Sequence, residues 1–286
     1  NGITDANLQA LNGLEFTGFT YSGITWSTDD TTPVSFSNGI HMGIIGADAI
    51  VNCGDKNATG YKATYEHDGS SWSTTGNCAG THGVGAGGGT QTAGVIFNGW
   101  DDVGGDESNV TEEYNGSTWA TGNNTVEGSA YCSGGGSVQT AQLVTGGSSS
   151  GPSVADLSMT QTYNGTNWAN ESVASNGQGP GSSGESGGGG LDAFFIVGGS
   201  KDDATTAISQ IFDQDAGTWT SKASAGTPAR YTGSSTDGTR VYKIGGWGGD
   251  VSPSFTTSVV VESWVENSWT TESVLTAARN QSGAGT

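Results

Sequence analysis

Positive charge is scarce in this sequence: 8 Lys and Arg stand against 28 Asp and Glu, a formal net charge of −20. Nucleic acid and anionic membrane surfaces both need a basic face, to release counterions or to pair with headgroups, so the balance argues against either partner. Aliphatic residues are few. Leu, Ile, Val and Phe together number 45 of 286 residues, a share usual in disordered chains, and no apolar run approaches the length of a membrane span. Helical periodicity is missing, because Gly, Ser, Thr and Asn dominate almost everywhere, and no Gly-X-Y period runs through the chain. Three cysteines (Cys53, Cys78 and Cys132) cannot all pair within one chain, which leaves one disulfide and one thiol, or three thiols. The chain starts at Asn1 rather than Met, the expectation for a processed product or a fragment, and no signal peptide is visible, which leaves open one already removed. What is abundant is 51 Gly, 9 Trp and 8 Tyr. Aromatics in that number contradict disorder and leave an all-β protein of many short strands.

Six of the tryptophans recur at near-even intervals: Trp26, Trp72, Trp119, Trp168, Trp219 and Trp269, spaced 46, 47, 49, 51 and 50 residues apart. Each closes a segment with an upstream aromatic and a turn: YSGITW (21–26), YEHDGSSW (65–72), YNGSTW (114–119), YNGTNW (163–168), FDQDAGTW (212–219) and WVENSW (264–269). Asn-Gly and Asp-Gly accept the positive φ angles of two-residue hairpin turns, so each segment reads as a β-hairpin. The copies at Tyr65 and Phe212 have two extra residues before the Trp, which predicts longer turns there. Upstream lies a short apolar strand ending in a small pair, as in VIFNGW (95–100), QLVTGG (142–147), FFIVGG (194–199) and VYKIGG (241–246). Before that comes a glycine-rich run such as THGVGAGGG (81–89). Four short strands per repeat of about 48 residues are the signature of propeller blades. Glycine in the first strand lets blades converge on an axis, and the repeat tryptophans fill the space between blades as core.

The final RNQSGAGT (279–286) has the pattern of a first strand with no successor, and NGITDANLQALNG (1–13) that of a second strand with no predecessor. The expected architecture is therefore all-β: a single domain over 1–286, a six-bladed β-propeller of four-stranded antiparallel blades. Its pieces are 1–29 plus 273–286, 30–75, 76–122, 123–171, 172–222 and 223–272, with the C-terminal strand pairing in the N-terminal blade and removing an open edge. Gly146-Gly147, Gly198-Gly199 and Gly245-Gly246, the later Tyr, the following Trp, and Pro228-Ala229-Arg230 before a first strand resemble kelch repeats over essentially the whole chain. The Gly-, Ser- and Thr-rich, Lys-poor variety is similar to kelch-like propellers of phage virion and bacterial surface proteins.

Among kelch-like enzymes, the galactose oxidase type would imply copper held by two His and two Tyr. Only His41, His67 and His82 are present, no Tyr-His dipeptide completes the set, and His67 is expected in a hairpin turn. Sialidase propellers need three Arg on a carboxylate; this chain has Arg230, Arg240 and Arg279 in total, with Arg240 expected at the far end of its hairpin. Arg230 and Arg279 sit at equivalent positions 49 apart. With Tyr231 beside the first, they either hold an anionic sugar or a carboxylate or bond nearby carbonyls and acids. Trp100 and Trp247 lie outside the repeat, after the small pair that ends a second strand. There they either offer stacking platforms flanked by Asp101, Asp102 and Asp250 or fold back over the blade edge.

The same loops carry acid at 54–57, 101–108, 201–203 and 248–250. Oxygen-rich loops can hold Ca²⁺, with Asp101, Asp102 and Asp106 the weak candidates, though no calcium-repeat pattern is present and a solvated acidic rim explains them as well. No other cofactor is expected. Cys53 and Cys78 fall on this loop face and are the candidate disulfide. The sequons at Asn115 and Asn164 coincide with hairpin turns, which account for them without glycosylation. The expected function is a non-enzymatic recognition or structural module, extracellular or on a virion surface, tail-fibre- or adhesin-like. It would bind glycan or another host or cell-surface ligand through its loop face, with other virion or surface-layer subunits as further candidate partners. The alternative is a polysaccharide-acting enzyme, hydrolase or lyase, using acidic loop residues.

Overall fold

The computed structural model describes residues 33, 40–42, 49–52, 62–101, 106–149, 155–173, 186–188, 193–201, 204–236, 240–248, 256–265, 267–272 and 274–275. Among these there is no helix, and five four-stranded antiparallel sheets follow one another along the chain. The first comprises Ile40–Met42, Ala49–Asn52, Thr64–His67 and Trp72–Thr74. The second comprises Ala86–Thr90, Ala93–Phe97, Thr111–Tyr114 and Trp119–Thr121. The third comprises Ser133–Val138, Ala141–Thr145, Thr160–Tyr163 and Trp168–Asn170. The fourth comprises Ser186–Gly188, Ala193–Val197, Ser209–Asp213 and Thr218–Lys222. The fifth comprises Gly233–Thr236, Val241–Ile244, Val261–Val265 and Ser268–Thr271. Each is a simple meander, and the first strand of every sheet packs against the first strand of the next. The arrangement is propeller-like. Apart from residues 274–275, the expected blade piece 1–29 plus 273–286, and with it the closure of the ring, lies outside the described residues.

Composition explains the strand roles. The second strand is buried on both faces and is accordingly almost continuously apolar: Val95, Ile96 and Phe97 are fully buried. The first strand must let neighbouring sheets approach. A Cβ on Gly134 would sit 2.7 Å from the Ala86 Cβ of the preceding sheet, and one on Gly88 would sit 2.5 Å from the Gly136 carbonyl oxygen of the following one. Among the described residues there is no single central core. The apolar clusters lie at the joints between sheets: Phe97 and Val95 with Val144, Tyr163 and Trp168; Leu143 with Phe194, Phe212 and Trp219; Phe195 and Val197 with Val241 and Trp269.

Of the described repeat tryptophans, Trp168 and Trp219 are buried, and Trp72, Trp119 and Trp269 are half-buried against the core clusters. Four of them also fasten the sheets, each indole Nε1 donating to a hydroxyl at the start of the third strand of the preceding sheet: Trp119 to Thr64 (3.0 Å), Trp168 to Thr111 (3.0 Å), Trp219 to Thr160 (3.1 Å) and Trp269 to Ser209 (3.2 Å). Trp26 lies outside the described residues.

Three local expectations change. The first concerns His67, which ends a strand rather than occupying a turn. It sits opposite Trp72 with ring centroids 4.9 Å apart, so it takes the place that Tyr114 and Tyr163 hold, and the turn after it is no longer than theirs. At Phe212 the hairpin ladder, not the turn, is longer: Phe212 opposes Trp219 and Asp213 pairs with Thr218 beyond it, so the turn is 214–217, as long as the turn 115–118 between Tyr114 and Trp119. The second concerns turn chemistry. In the Asn-Gly and Asp-Gly turns the Gly takes positive φ (Gly69 +90°, Gly116 +91°, Gly165 +84°) and the residue before it does not, while in the last hairpin Asn267 does (+67°). Asn115 contributes through its side chain, whose Oδ1 accepts the N–H groups of Ser117 (3.1 Å) and Thr118 (2.9 Å). Asp68 does the same with Ser70 and Ser71, and these bonds hold its carboxyl down at about 2.

The third change is at the loop face. After the small pair (Gly146 +75°, Gly147 +99°, for example) the chain enters a second antiparallel ribbon rather than a loose loop. The ribbons are Trp100–Asp101 with Asp106–Glu107, Ser148–Ser149 with Ala155–Asp156, Ser200–Lys201 with Ala204–Thr205, and Trp247–Gly248 with Thr256–Thr257. Two consecutive left-handed residues make the bend, which is why the pair is Gly-Gly, or Asn98-Gly99 with Asn98 at +58°.

Candidate binding site

The ribbons stand beside the segments that lead into the first strands, and backbone bridges join them: Gly83 with Trp100, Ala130 with Ser148, Arg230 with Trp247. The last is a reciprocal pair, Arg230 N–H to the Trp247 carbonyl at 2.9 Å and Trp247 N–H to the Arg230 carbonyl at 2.7 Å. These bridges bring into register three residues that are one past the bridged position and two before a first strand: Val84, Tyr131 and Tyr231. All three are left-handed, with φ of +54°, +56° and +53°. For a β-branched or aromatic side chain this is an uncommon conformation that costs about 1–3 kcal/mol and persists only where its surroundings enforce it.

The strained tyrosines meet. Tyr131 leads into the third sheet and Tyr231 into the fifth, yet their ring centroids are 6.1 Å apart, edge to face. Tyr231 in turn lies edge to face with Trp247, at 5.3 Å and 82°. Three partly exposed rings thus form a row at the end of the molecule where the first strands begin. Arg230, backbone-paired to Trp247 within this group, is 7 % exposed, which favours the second of the two roles the sequence left open for it, bonding inside the fold, over holding an anionic ligand.

Trp100 is half-buried at the start of its own ribbon and, among the described residues, stacks on no ring. Its neighbour Asp101 accepts a hydrogen bond from Thr81 Oγ1 (3.1 Å) and lies directly opposite the exposed Asp106 in the ribbon. Among the described residues no group of three or more His, Cys, Asp or Glu converges as a metal site. Asp102, Asp250 and Arg279 lie outside the described residues, as does Cys53 and hence the Cys53–Cys78 pairing. Cys78 is buried, its Sγ donating to the Gly80 carbonyl at 3.2 Å. The structure therefore assembles Arg230, Tyr231 and Trp247 with Tyr131, and places Trp100 and Asp101 on the ribbon of the second sheet.

Tyr131 was not among the residues the sequence singled out, although it aligns with Tyr231 in the repeat. A second missed set is the second residue of the third strand: Glu112, Gln161, Gln210 and Glu262, all essentially fully buried. In three of the four, the side chain caps the segment crossing toward the first strand. Glu112 Oε2 accepts from Ala79 N–H (2.8 Å) while its Oε1 accepts from Gly80 N–H. Gln161 Oε1 accepts from Val126 N–H (2.8 Å), and Glu262 Oε1 from Gly226 N–H (2.8 Å). Burial raises the Glu112 carboxyl, but the His82 ring, 3.8 Å away, and the two amides outweigh it and leave the group below its ordinary value. His82 is fully buried, with Nδ1–H donating to the Asn98 carbonyl at 2.9 Å. Glu262 is completed by buried Lys243, whose Nζ lies 2.7 Å from Oε2. The sequence signal for this set was the recurring Glu or Gln in TEEY, TQTY, SQIF and VESW.

The fold and the ring row together define an all-β, propeller-like protein with an aromatic patch at one end. No family model matches the chain, and no curated protein matches it in sequence. Among solved structures it is similar to one described as "Structure of YjhT", with a TM-score of 0.71 and 15% identity over 91% of this chain and 90% of that one. At that identity the likeness carries the fold alone.

Proposed function

We propose that the chain is a kelch-like propeller of six blades, closed by residues 273–286 beside residues 1–29. In this reading it acts, without catalysis, as a recognition module on an extracellular or virion surface, binding glycan through the end where the first strands begin. The observation that carries this reading is the row Tyr131–Tyr231–Trp247. Partly exposed rings supply apolar faces for the C–H surface of a sugar, at low cost in side-chain entropy. Carboxylates such as Asp101, and Asp102 and Asp250 from the sequence, are suited to accept its hydroxyls.

A glycan array probed with the wild-type protein and with Trp247→Ala tests this. Binding that the substitution reduces about tenfold or more is the expected result; binding that survives it intact moves the site elsewhere, and no binding leaves an architectural role. The polysaccharide-acting alternative has one observation in its favour, the opposition of Asp101 and Asp106 across a ribbon. It requires product to appear when polysaccharides are incubated with the protein and to vanish in Asp101→Asn. Deleting 273–286 tests the ring: loss of cooperative melting is expected, and an unchanged transition would refute closure.

A further inference from the structure

We infer that Tyr131 is a specificity-determining residue of this site, and that the ligand is an uncharged saccharide held by one terminal ring rather than along its length. The inference rests on the glycan-binding reading above and concerns how the sugar is held.

Three observations lead to it. The two tyrosines come from sheets that are not neighbours, and the strand between them, Ser186–Gly188, packs against the first strands of both sheets. In the closed ring proposed above, rings that touch across that distance span the space around which the sheets are arranged. A saccharide approaching from this end therefore meets a floor, and a floor surrounded by sheets accepts a chain end where an open-sided groove would accept a run of rings. Next, both tyrosines hold a left-handed backbone that glycine would adopt without strain. The same register is occupied by Val84, at almost the same φ, so the backbone shape belongs to the fold while the aromatic identity does not. Rings placed on a strained backbone where the fold does not require them point to a task outside folding. Finally, the one cation in the group, Arg230, is buried, and the chain carries a net charge of −20, so an acidic sugar would be repelled and a neutral one would not.

The test uses the full chain and neutral gluco-, xylo- and galacto-oligosaccharides, from single rings to hexamers, titrated calorimetrically. Affinity should reach its plateau at one or two rings. Tyr131→Ala and Tyr131→Gly should each weaken binding about tenfold, and Tyr131→Phe should stay within about twofold. Tyr131→Gly should melt no lower than wild type, which separates a lost ligand contact from a damaged fold and serves as the readout if the alanine variant does not fold. Affinity that keeps rising with chain length, or wild-type binding by Tyr131→Gly, overturns the inference while leaving glycan recognition standing. Failure of every saccharide to bind overturns the recognition reading and this inference with it.

Discussion

At the scale of single residues, backbone strain and buried charge make the sharpest demands. Val84 shares the left-handed conformation of Tyr131 and Tyr231 without their rings. Replacing it by glycine removes strain of about 1–3 kcal/mol at an entropic cost of about 0.5–1 kcal/mol. Val84→Gly should therefore raise the melting temperature slightly and leave ligand binding unchanged, as thermal denaturation and titration would show. The buried Lys243–Glu262 pair behaves in the opposite way. Lys243→Met alone strands a carboxylate and should destabilise by about 3–5 kcal/mol, whereas the double change with Glu262→Gln should recover most of that loss; denaturant titration of both variants checks it. Tyrosines at the sheet joints add a pH dependence. Tyr114 is pushed up to about 12 by burial and by its bond to Glu66 (2.7 Å), and Tyr163 is raised by burial and by Glu113 (2.7 Å). A raised folded pKa means that the stabilisation is complete below the unfolded value of 10.0 and is lost as pH climbs through the folded value. Melting temperature should hold up to about pH 10 and fall above it, alongside the rise in tyrosinate absorbance.

At the scale of elements, the recurring unit is a sheet pinned to its predecessor by an indole. Trp219→Phe keeps most of the ring but removes the donor to Thr160, and should cost about 1–2 kcal/mol. Trp219→Ala also opens the joint around Phe194 and Phe212, and should cost about 3–5 kcal/mol. Chemical denaturation distinguishes the two, and equal losses would mean that the hydrogen bond contributes nothing. Strand order, the aromatic-to-Trp hairpin and the small pair were legible in the sequence because each is a pattern within a dozen residues. His67 was misplaced because its imidazole fills an aromatic site that the other copies give to Tyr, Phe or Trp, and Asp68-Gly69 could be aligned with the Asn-Gly turns only once the register was known. The ribbons were missed for a different reason: strands of two residues have no periodicity to read.

At the scale of the whole molecule, charge and closure dominate. A net charge of −20 opposes compaction, and screening shortens its reach to about 8 Å at physiological ionic strength. Stability should therefore rise as sodium chloride is added, and a steady decline in melting temperature would contradict this. In the last described sheet the position that accepts the tryptophan hydrogen bond is Val261, which has no hydroxyl. A following sheet would find no acceptor there, so Val261→Thr should stabilise a closed ring and leave an open one unaffected.

The amino-acid sequence by itself determined the all-β class, the repeat, the four strand roles and the interior placement of the tryptophans, since these follow from local propensity and a period of about 48 residues. Only the tertiary structure decided that Arg230 is buried, that Trp247 makes ring contact with Tyr231, and that Tyr131 meets Tyr231 a hundred residues away. Those outcomes depend on how far each sheet turns relative to the last. That angle is set by packing at every joint at once, and no local stretch of sequence encodes it.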